Sequence, residues 1–406
     1  MKKKAFLFPG QGSQYVGMGK SLCQRSKTAS EIFERAGDAL HLDMKKLCWE
    51  EDIATLTLSP NAQPAILTTS YAMYQVCVEE QEIRPDAMAG HSLGEITALT
   101  CAGALEFEDA VRLVRKRGEF MNLPGTDGAM FAVMTRDVEL VEGLCRQETD
   151  GIVSVSNYNS HVQTVISGNR ANVLRVVNAL EGQKIKCREL NVSAPFHCAL
   201  MEPAAELLRQ ELKGYAFGKP VCPVLSNVTA IPYETAEQIP ELLVQQVVQP
   251  VRWTESMKWL RRANAEYCVE LGPGHVLQSL MKRNYGEIPV FAYDDGGEPE
   301  RLRAFVEAGY IPFLSRCMGL AVSARNTCWD NDAYRDGVIT PYNCLRAMQD
   351  KAEAEGRAAT EEEMLEGAKL LKTILTTKGC PEEEQTERFY DLLADTGMER
   401  KLQLPF

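Results

Sequence analysis

No uninterrupted apolar run in the 406-residue chain approaches the roughly 20 residues that a membrane-spanning helix needs, which excludes an integral helical membrane protein. Basic charge is in short supply: 44 Lys and Arg stand against 56 Asp and Glu, a formal net charge of −12. Nucleic-acid binding depends on a basic face that neutralises phosphates, so nucleic acid is not an expected partner. Cysteine is not scarce, at thirteen, but Cys-x-x-Cys pairs and Cys/His clusters are missing. An odd, scattered set argues against a disulfide framework and against structural zinc, and reduced, buried thiols are expected. Lys2, Lys3 and Lys4 look like the start of a signal peptide, yet the apolar stretch after them breaks at Pro9-Gly10 after four residues and no cleavage-like site follows. A cytoplasmic location is therefore expected. Internal repeats and low-complexity tracts are also missing, and only five histidines are available for acid–base work.

The length is too great for one average domain, so two or three units with ample core are expected. Phe6 to Phe8, Ala87 to Gly90, Val224 to Asn227 and Tyr267 to Leu271 are short apolar runs ending near Gly, Pro or Asn, as buried parallel strands do. Helical patterns lie between them, such as Pro64 to Val78 and Phe107 to Met121. The expected class is therefore α/β with a parallel sheet. Residues 128–193 have a different texture, with strands at Ala129 to Met134, Val162 to Ser167 and Lys184 to Leu190 and helices at Val138 to Gln147 and Ala171 to Glu181, which reads as an inserted α+β unit. Clustered Asp, Gly and Pro at Asp294 to Pro299 predict a boundary. Beyond it the chain reads as mostly helical. Thr360 with Glu363 forms a capping-box pattern ahead of an apolar face (Met364, Leu365, Ala368, Leu371, Ile374, Leu375) that has to be buried somewhere.

The most telling segment is Gly90-His91-Ser92-Leu93-Gly94-Glu95, a Gly-x-Ser-x-Gly that follows an apolar run and precedes a helical pattern. That is the layout of a nucleophile elbow. A serine hydroxyl attacks a carbonyl only if it stands clear of the backbone, and the tight turn that exposes it crowds its neighbours until glycine is favoured. The same turn aims the Leu93 amide and a helix N-terminus at the place where an oxyanion would form. At the N-terminus an apolar strand runs into Gly10-Gln11-Gly12.

With these two segments, and with Arg115-Lys116-Arg117-Gly118, Ala194-Pro195-Phe196-His197 and Glu270-Leu271-Gly272-Pro273-Gly274 in the same order and spacing, the sequence resembles the malonyl-CoA:acyl-carrier-protein transacylases and the acyltransferase domains of polyketide and fatty acid synthases. The resemblance covers residues 1 to about 290. It implies an α/β-hydrolase-like catalytic domain (1–127 and 194–295), a ferredoxin-like subdomain (128–193) with the active site in the cleft between the two, and a helical extension (296–406) outside the family. It also implies malonyl-CoA and an acyl carrier protein as partners, with no metal and no tightly bound cofactor.

The site residues follow from chemistry and resemblance together. A serine hydroxyl needs a base within hydrogen-bond reach. His197 matches the family's catalytic histidine, while His91, next to Ser92, is expected to point the other way. No Asp follows in the arrangement typical of lipases, and the resemblance assigns the histidine-orienting role to a backbone carbonyl, that of Gln246. It likewise assigns the second oxyanion-hole amide, beside Leu93, to Gln11. Arg117 sits inside an otherwise apolar helix, odd for a core and suited to clamping a free carboxylate, because a buried carboxylate needs a charged partner. Phe196 resembles the malonyl-selecting version of its motif, and Ala194 departs from the histidine common there in synthase domains, which leaves methylmalonyl exclusion open. For the acidic carrier protein, Arg112, Arg115 and Lys116, or Arg261, Arg262, Lys282 and Arg283, are the candidate basic patches. The expected reaction is ping-pong malonyl transfer through Ser92. The rival readings are a hydrolase that clears acyl groups from carrier proteins and a non-catalytic carrier-binding scaffold. The extension, with its aromatic segment Phe313 to Tyr342, tilts the pathway toward a trans-acting polyketide role. It is expected to pack on the catalytic part or to present a docking face.

Overall fold

In the computed structural model, residues 2–122, 127–192, 194–399 and 401–404 are described. The chain divides into two compact units, Lys2–Leu302 and Arg303–Phe406. Ser193, the last residue of the expected insert, lies outside the described residues.

The first unit is built around a five-stranded parallel sheet in the order β7-β2-β1-β8-β9, with β1 Lys4–Phe8, β2 Ala87–Gly90, β7 Val224–Leu225, β8 Tyr267–Glu270 and β9 Val290–Ala292. A central parallel strand is covered on both faces, so its residues must be apolar throughout. β1 obeys this from Ala5 to Phe8, and its first residue, the buried Lys4, pairs with Asp86 at 3.2 Å. Ala5 and Leu7 join Trp253, Met257, Leu260 and Leu277 on one face, while Phe6 and Phe8 meet Tyr74 edge-on at 6.1 and 6.4 Å. In the β1–β2 register Phe8 pairs with Gly90, so the loops that follow the two strands, with Gln11 on one and Ser92 on the other, leave the sheet side by side. Carboxyl ends of neighbouring parallel strands are where open α/β sheets place their sites.

A four-stranded antiparallel sheet, in the order β4-β5-β3-β6, comprises β3 Gly128–Met134, β4 Val153–Ser160, β5 Gln163–Asn169 and β6 Lys186–Glu189. With the helices Val138–Gln147 and Arg170–Gly182 it makes a β-α-β-β-α-β unit whose core holds Phe131, Val133, Val141, Ile166 and Leu180. The sequence led us to expect three strands here; β4 is the fourth. Its sequence, Val-Ser-Val-Ser-Asn-Tyr-Asn-Ser, offers only two aliphatic residues, and a register shift between Val155 and Asn157 disturbs the alternation that would have marked it.

Helix Ser59–Gln81 begins five residues before the expected Pro64, which lies inside it. Proline cannot donate to the carbonyl four residues back. The orphaned Pro60 carbonyl accepts from Arg115 Nη1 instead, at 2.9 Å. Helix Phe107–Met121 crosses this helix at Gly118, where a Cβ would stand 2.5 Å from the Ser59 carbonyl oxygen. That close crossing sets Gln63 beside Arg117.

The second unit is helical, with Phe313–Ser323, Thr340–Ala354, Glu361–Thr377 and Glu382–Thr396 as its longer helices. The capping box at Thr360 and Glu363 is formed. The apolar face of residues 364 to 375 turns into a core made by this unit itself, where Leu371, Ile374 and Leu375 are fully buried among Leu314, Cys317, Leu320, Leu345 and Leu392. No helix among the described residues is long and apolar enough to cross a membrane.

Candidate active site

Ser92 stands between β2 and the helix Leu93–Cys101 with φ 53° and ψ −107°. A non-glycine residue in that region costs of order 1–3 kcal/mol and persists only when its surroundings over-determine it. They do. The Ser92 N–H donates to Asn227 Oδ1 (2.6 Å), Asn227 Nδ2 donates to the Gly90 carbonyl (2.7 Å), and the His91 N–H donates to the Phe8 carbonyl (3.0 Å). The flanking glycines are a matter of space: a Cβ on Gly90 would lie 1.8 Å from the Gly94 carbonyl oxygen, and one on Gly94 would lie 2.0 Å from that of Phe8.

Ser92 Oγ is 2.8 Å from His197 Nε2, and His197 Nδ1 is 2.7 Å from the Gln246 carbonyl oxygen. A carbonyl only accepts, so Nδ1 carries the proton and the Nε2 lone pair faces the serine hydroxyl. Burial, helped by the nearby Arg117 cation, pushes the His197 pKa down to about 3, which makes the imidazole a neutral base at ordinary pH.

Arg117 is 2 % exposed, one of the largest buried side chains in the molecule. Its Nη1 donates to Gln63 Oε1 (2.9 Å) and its Nη2 to Gln246 Oε1 (2.8 Å) and Ser92 Oγ (3.1 Å). All three partners are neutral, and Nε has none. Among the described residues this guanidinium makes no ion pair. Burial pulls its pKa down to about 10, against a partial restoring pull from Glu95. A buried cation paired only with neutral groups is suited to take an anionic partner.

A cavity of about 220 Å³ opens over these atoms, lined by Gln11, Ser92, Arg117 and His197 with Met121, Met130, Phe196 and Leu280. Gly94 N donates to His91 O and Glu95 N to Ser92 O, turn bonds in which the Leu93 N–H takes no part. Gln11 lines the cavity, and its side-chain Nε2 donates to Ser59 Oγ (3.1 Å). His91 Nε2 lies 2.9 Å from Asn159 Oδ1 and its ring tilts against Trp253. The structure thus gathers Ser92, His197, Arg117, Gln11 and Phe196 around one cavity, with Gln246 joined to it through Arg117 and His197 and Leu93 opening the helix that follows Ser92. Among the described residues, no cluster of three or more His, Cys, Asp or Glu is placed to hold a metal ion. All thirteen cysteines are free thiols.

Four residues of the site were given no role there in the sequence reading: Gln63, Glu95, Asn227 and Tyr233. Asn227 was placed at the end of a strand, but β7 stops at Leu225, which frees Asn227 to clamp the elbow. The one available signal was Glu95, since Ser-x-x-Glu at a helix start reads as a capping box. The candidate basic patches divide. Arg112 pairs with Asp109, Arg115 and Lys116 pair with Glu119, and Arg261 pairs with Glu287. Arg262, Lys282 and Arg283 are exposed and, among the described residues, unpaired.

Comparison with known proteins agrees with this constellation. The acyl transferase domain model matches residues 5–302. A malonyl CoA-acyl carrier protein transacylase of Bacillus subtilis is 37 % identical over 395 residues, covering 95 % of this chain and 99 % of its own. One from Escherichia coli K12 is 39 % identical over 311 residues, covering 76 % of this chain and 100 % of its own. A solved structure described as a type II polyketide synthase acyl-carrier protein in complex with its malonyl-transacylase is 37 % identical with a TM-score of 0.72, over 75 % of this chain and 99 % of that one. The chain belongs to the acyl transferase family.

Proposed function

We propose that the protein is a malonyl-CoA:acyl-carrier-protein S-malonyltransferase in which Ser92 is the nucleophile, His197 the base, Gln246 the residue whose carbonyl orients it, Gln11 and Leu93 the oxyanion donors, and Arg117 the clamp for the malonyl carboxylate. The observation that carries the substrate class is the buried Arg117 cation, whose hydrogen-bond partners among the described residues are all neutral and whose Nη2 reaches Ser92 Oγ. A malonyl carboxylate supplies the anion it lacks, and a bidentate guanidinium–carboxylate pair is the geometry best suited to it. Relatives whose names state this activity support the reading.

The reaction balances in two halves. Ser92 Oγ attacks the thioester carbonyl carbon as its proton passes to His197 Nε2, and the carbonyl oxygen becomes an oxyanion facing the Gln11 and Leu93 amides. Collapse breaks the C–S bond, and the CoA sulfur leaves with the proton from His197. The carrier's phosphopantetheine thiol then gives its proton to His197 and attacks the malonyl ester, and Ser92 Oγ leaves protonated. The malonyl-loaded carrier is the extender for fatty acid or polyketide assembly. Arg262, Lys282 and Arg283 are the basic side chains we assign to meeting the acidic carrier. No metal or tightly bound cofactor enters these steps.

The β-α-β-β-α-β order, with its strand sequence β4-β5-β3-β6, supports a ferredoxin-like subdomain, and the elbow on a parallel sheet supports an α/β-hydrolase-like body. Thirteen free thiols support a cytoplasmic setting. The extension loses its value as a polyketide marker, because the B. subtilis relative, aligned over 95 % of this chain, carries a name that specifies no polyketide pathway.

The test is intact-mass measurement after exposure to malonyl-CoA. The wild-type chain should gain one malonyl group, Ser92→Ala none, and added carrier protein should discharge the adduct. An adduct surviving on the variant removes Ser92 as nucleophile, and free malonate released without carrier makes the protein a hydrolase.

A further inference from the structure

Glu95 should cap its own helix. It follows Ser92 by three residues at the start of helix Leu93–Cys101, the spacing at which a glutamate normally reaches back to the N–H of the serine while the serine hydroxyl caps the turn. Neither half of that box forms: the serine makes no cap bond and its N–H is taken by Asn227. Glu95 instead points inward with no solvent exposure, where Asn227 N (3.1 Å), Gln246 Nε2 (2.7 Å) and the Tyr233 hydroxyl all donate to its oxygens. An acidic side chain taken from a favourable helix terminus into the interior needs a reason.

The reason lies in what Gln246 does with the other end of its amide. Nε2 spends its two protons on Glu95 Oε2 and on the Ser92 carbonyl (2.9 Å), while Oε1 accepts from Arg117 Nη2 (2.8 Å). Turning the amide over would set its oxygen against the Glu95 carboxyl and the Ser92 carbonyl, and its NH₂ against the guanidinium. Glu95, with the Ser92 carbonyl, therefore sets which face of the amide meets Arg117. The other anchor of that guanidinium, Gln63, is itself held on its NH₂ side, among the described residues, by the Met121 sulfur at 3.8 Å.

We propose that Glu95 is a specificity-determining positioning residue, which acts through the Gln246 side-chain amide to aim the Arg117 guanidinium and so sets the preference for acyl groups that end in a carboxylate. The proposal rests on the reading of Arg117 as the carboxylate clamp. It separates the two services of Gln246: the backbone carbonyl holds His197 for any acyl group, and the side chain serves only those with a distal anion.

The experiment measures acyl-enzyme formation with malonyl-CoA and with acetyl-CoA by rapid-quench mass spectrometry on the full chain. Glu95→Gln keeps the shape and weakens the hold on the amide by taking away its carboxylate acceptor, so the malonyl-to-acetyl rate ratio should fall about tenfold or more, the worth of one charge-assisted hydrogen bond. Gln246→Met, which keeps the backbone carbonyl and removes the amide, should lower the ratio similarly, and Glu95→Gln added to it should lower the ratio no further. Equal losses for both thioesters in Glu95→Gln, or a drop in ratio that adds fully to that of Gln246→Met, would overturn the proposal. If Glu95→Gln does not fold, Gln246→Met alone decides, since an unchanged ratio there removes the route through the amide. Arg117→Ala is the reference. A uniform loss in that variant undoes the clamp reading itself, whereas a selective loss there with an unchanged ratio in Glu95→Gln undoes only the role of Glu95.

Discussion

Arg117 Nη2 donates to Ser92 Oγ across 3.1 Å, so the cation that is to hold the far end of the acyl group also touches the oxygen that attacks its near end. A malonyl group is short, and both ends have to be served within one small cavity. On the proposed reading the guanidinium releases the serine when the thioester arrives and turns the freed Nη2 toward the carboxylate.

Replacing Arg117 by Lys should therefore not restore function. A lysine is a point charge on a flexible stem and cannot bridge Gln63, Gln246 and a carboxylate in one plane. Malonyl-CoA kcat/KM should fall by about tenfold or more, the equivalent of roughly 1.5–3 kcal/mol, while acetyl-CoA turnover falls less. Steady-state kinetics with the two thioesters checks this, and equal losses would show Arg117 to be a structural residue.

The pH response should carry the mark of a buried, neutral base. His197 ionises at about 3 in the folded chain against an ordinary 6.5. Its loss as a base therefore falls well below pH 6.5, and acetyl-CoA acylation should show no step at that pH. The folded state also binds fewer protons than the unfolded one between those values, so wild-type stability should decline relative to His197→Ala as pH falls from 6.5 toward 3. Urea melts of both proteins at pH 7 and pH 5 test the sign, and a wild-type stability that rises relative to His197→Ala on going from pH 7 to pH 5 would refute it.

Gly94→Ala should be far worse than an ordinary overpacking change. The added methyl would meet the Phe8 carbonyl oxygen at 2.0 Å, backbone against backbone, with the nucleophile two residues away. We expect at least the roughly 1–3 kcal/mol of a crowded core, together with loss of the malonyl adduct. Gly143→Ala, inside helix Val138–Gln147 with nothing near its Cβ, should by contrast stabilise by up to about 1 kcal/mol. Thermal melts of the two variants make the comparison.

Truncation at Leu302 should leave a chain that still acylates itself with malonyl-CoA, and residues 303–406 alone should give a helical, cooperatively melting fragment. Each unit has its own core, and the E. coli relative matches with 76 % of this chain. Circular dichroism and the mass assay check both halves; an unfolded fragment 303–406 would show that its core is not self-sufficient.

The residues legible in the sequence were those whose chemistry is local. Gly90 and Gly94 announce a tight turn because nothing larger fits, and Arg117 is conspicuous in an apolar helix. Gln246 was reached only through a motif, since a backbone carbonyl leaves no trace in residue identity. Gln63, Glu95, Asn227 and Tyr233 were invisible for another reason: they act through contacts 54 to 151 residues apart, such as Arg117 to Gln63 and Gln246 to Glu95, and no spacing rule spans such distances. Strand β4 escaped because two valines and a bulge do not make a period. The fate of the C-terminal apolar stripe was misjudged, since the sequence supplies the stripe but not the neighbouring helices that bury it, and these turned out to belong to the same unit.

The position where the two units part, between Leu302 and Arg303, is also where the match to the acyl transferase domain model ends. Relatives occur at both lengths: the B. subtilis protein aligns along nearly the whole of this chain, while the E. coli protein is complete within about three quarters of it. A block that buries its own leucines carries its core with it, so it can be gained or lost as one piece without unpicking the hydrophobic interior of either unit.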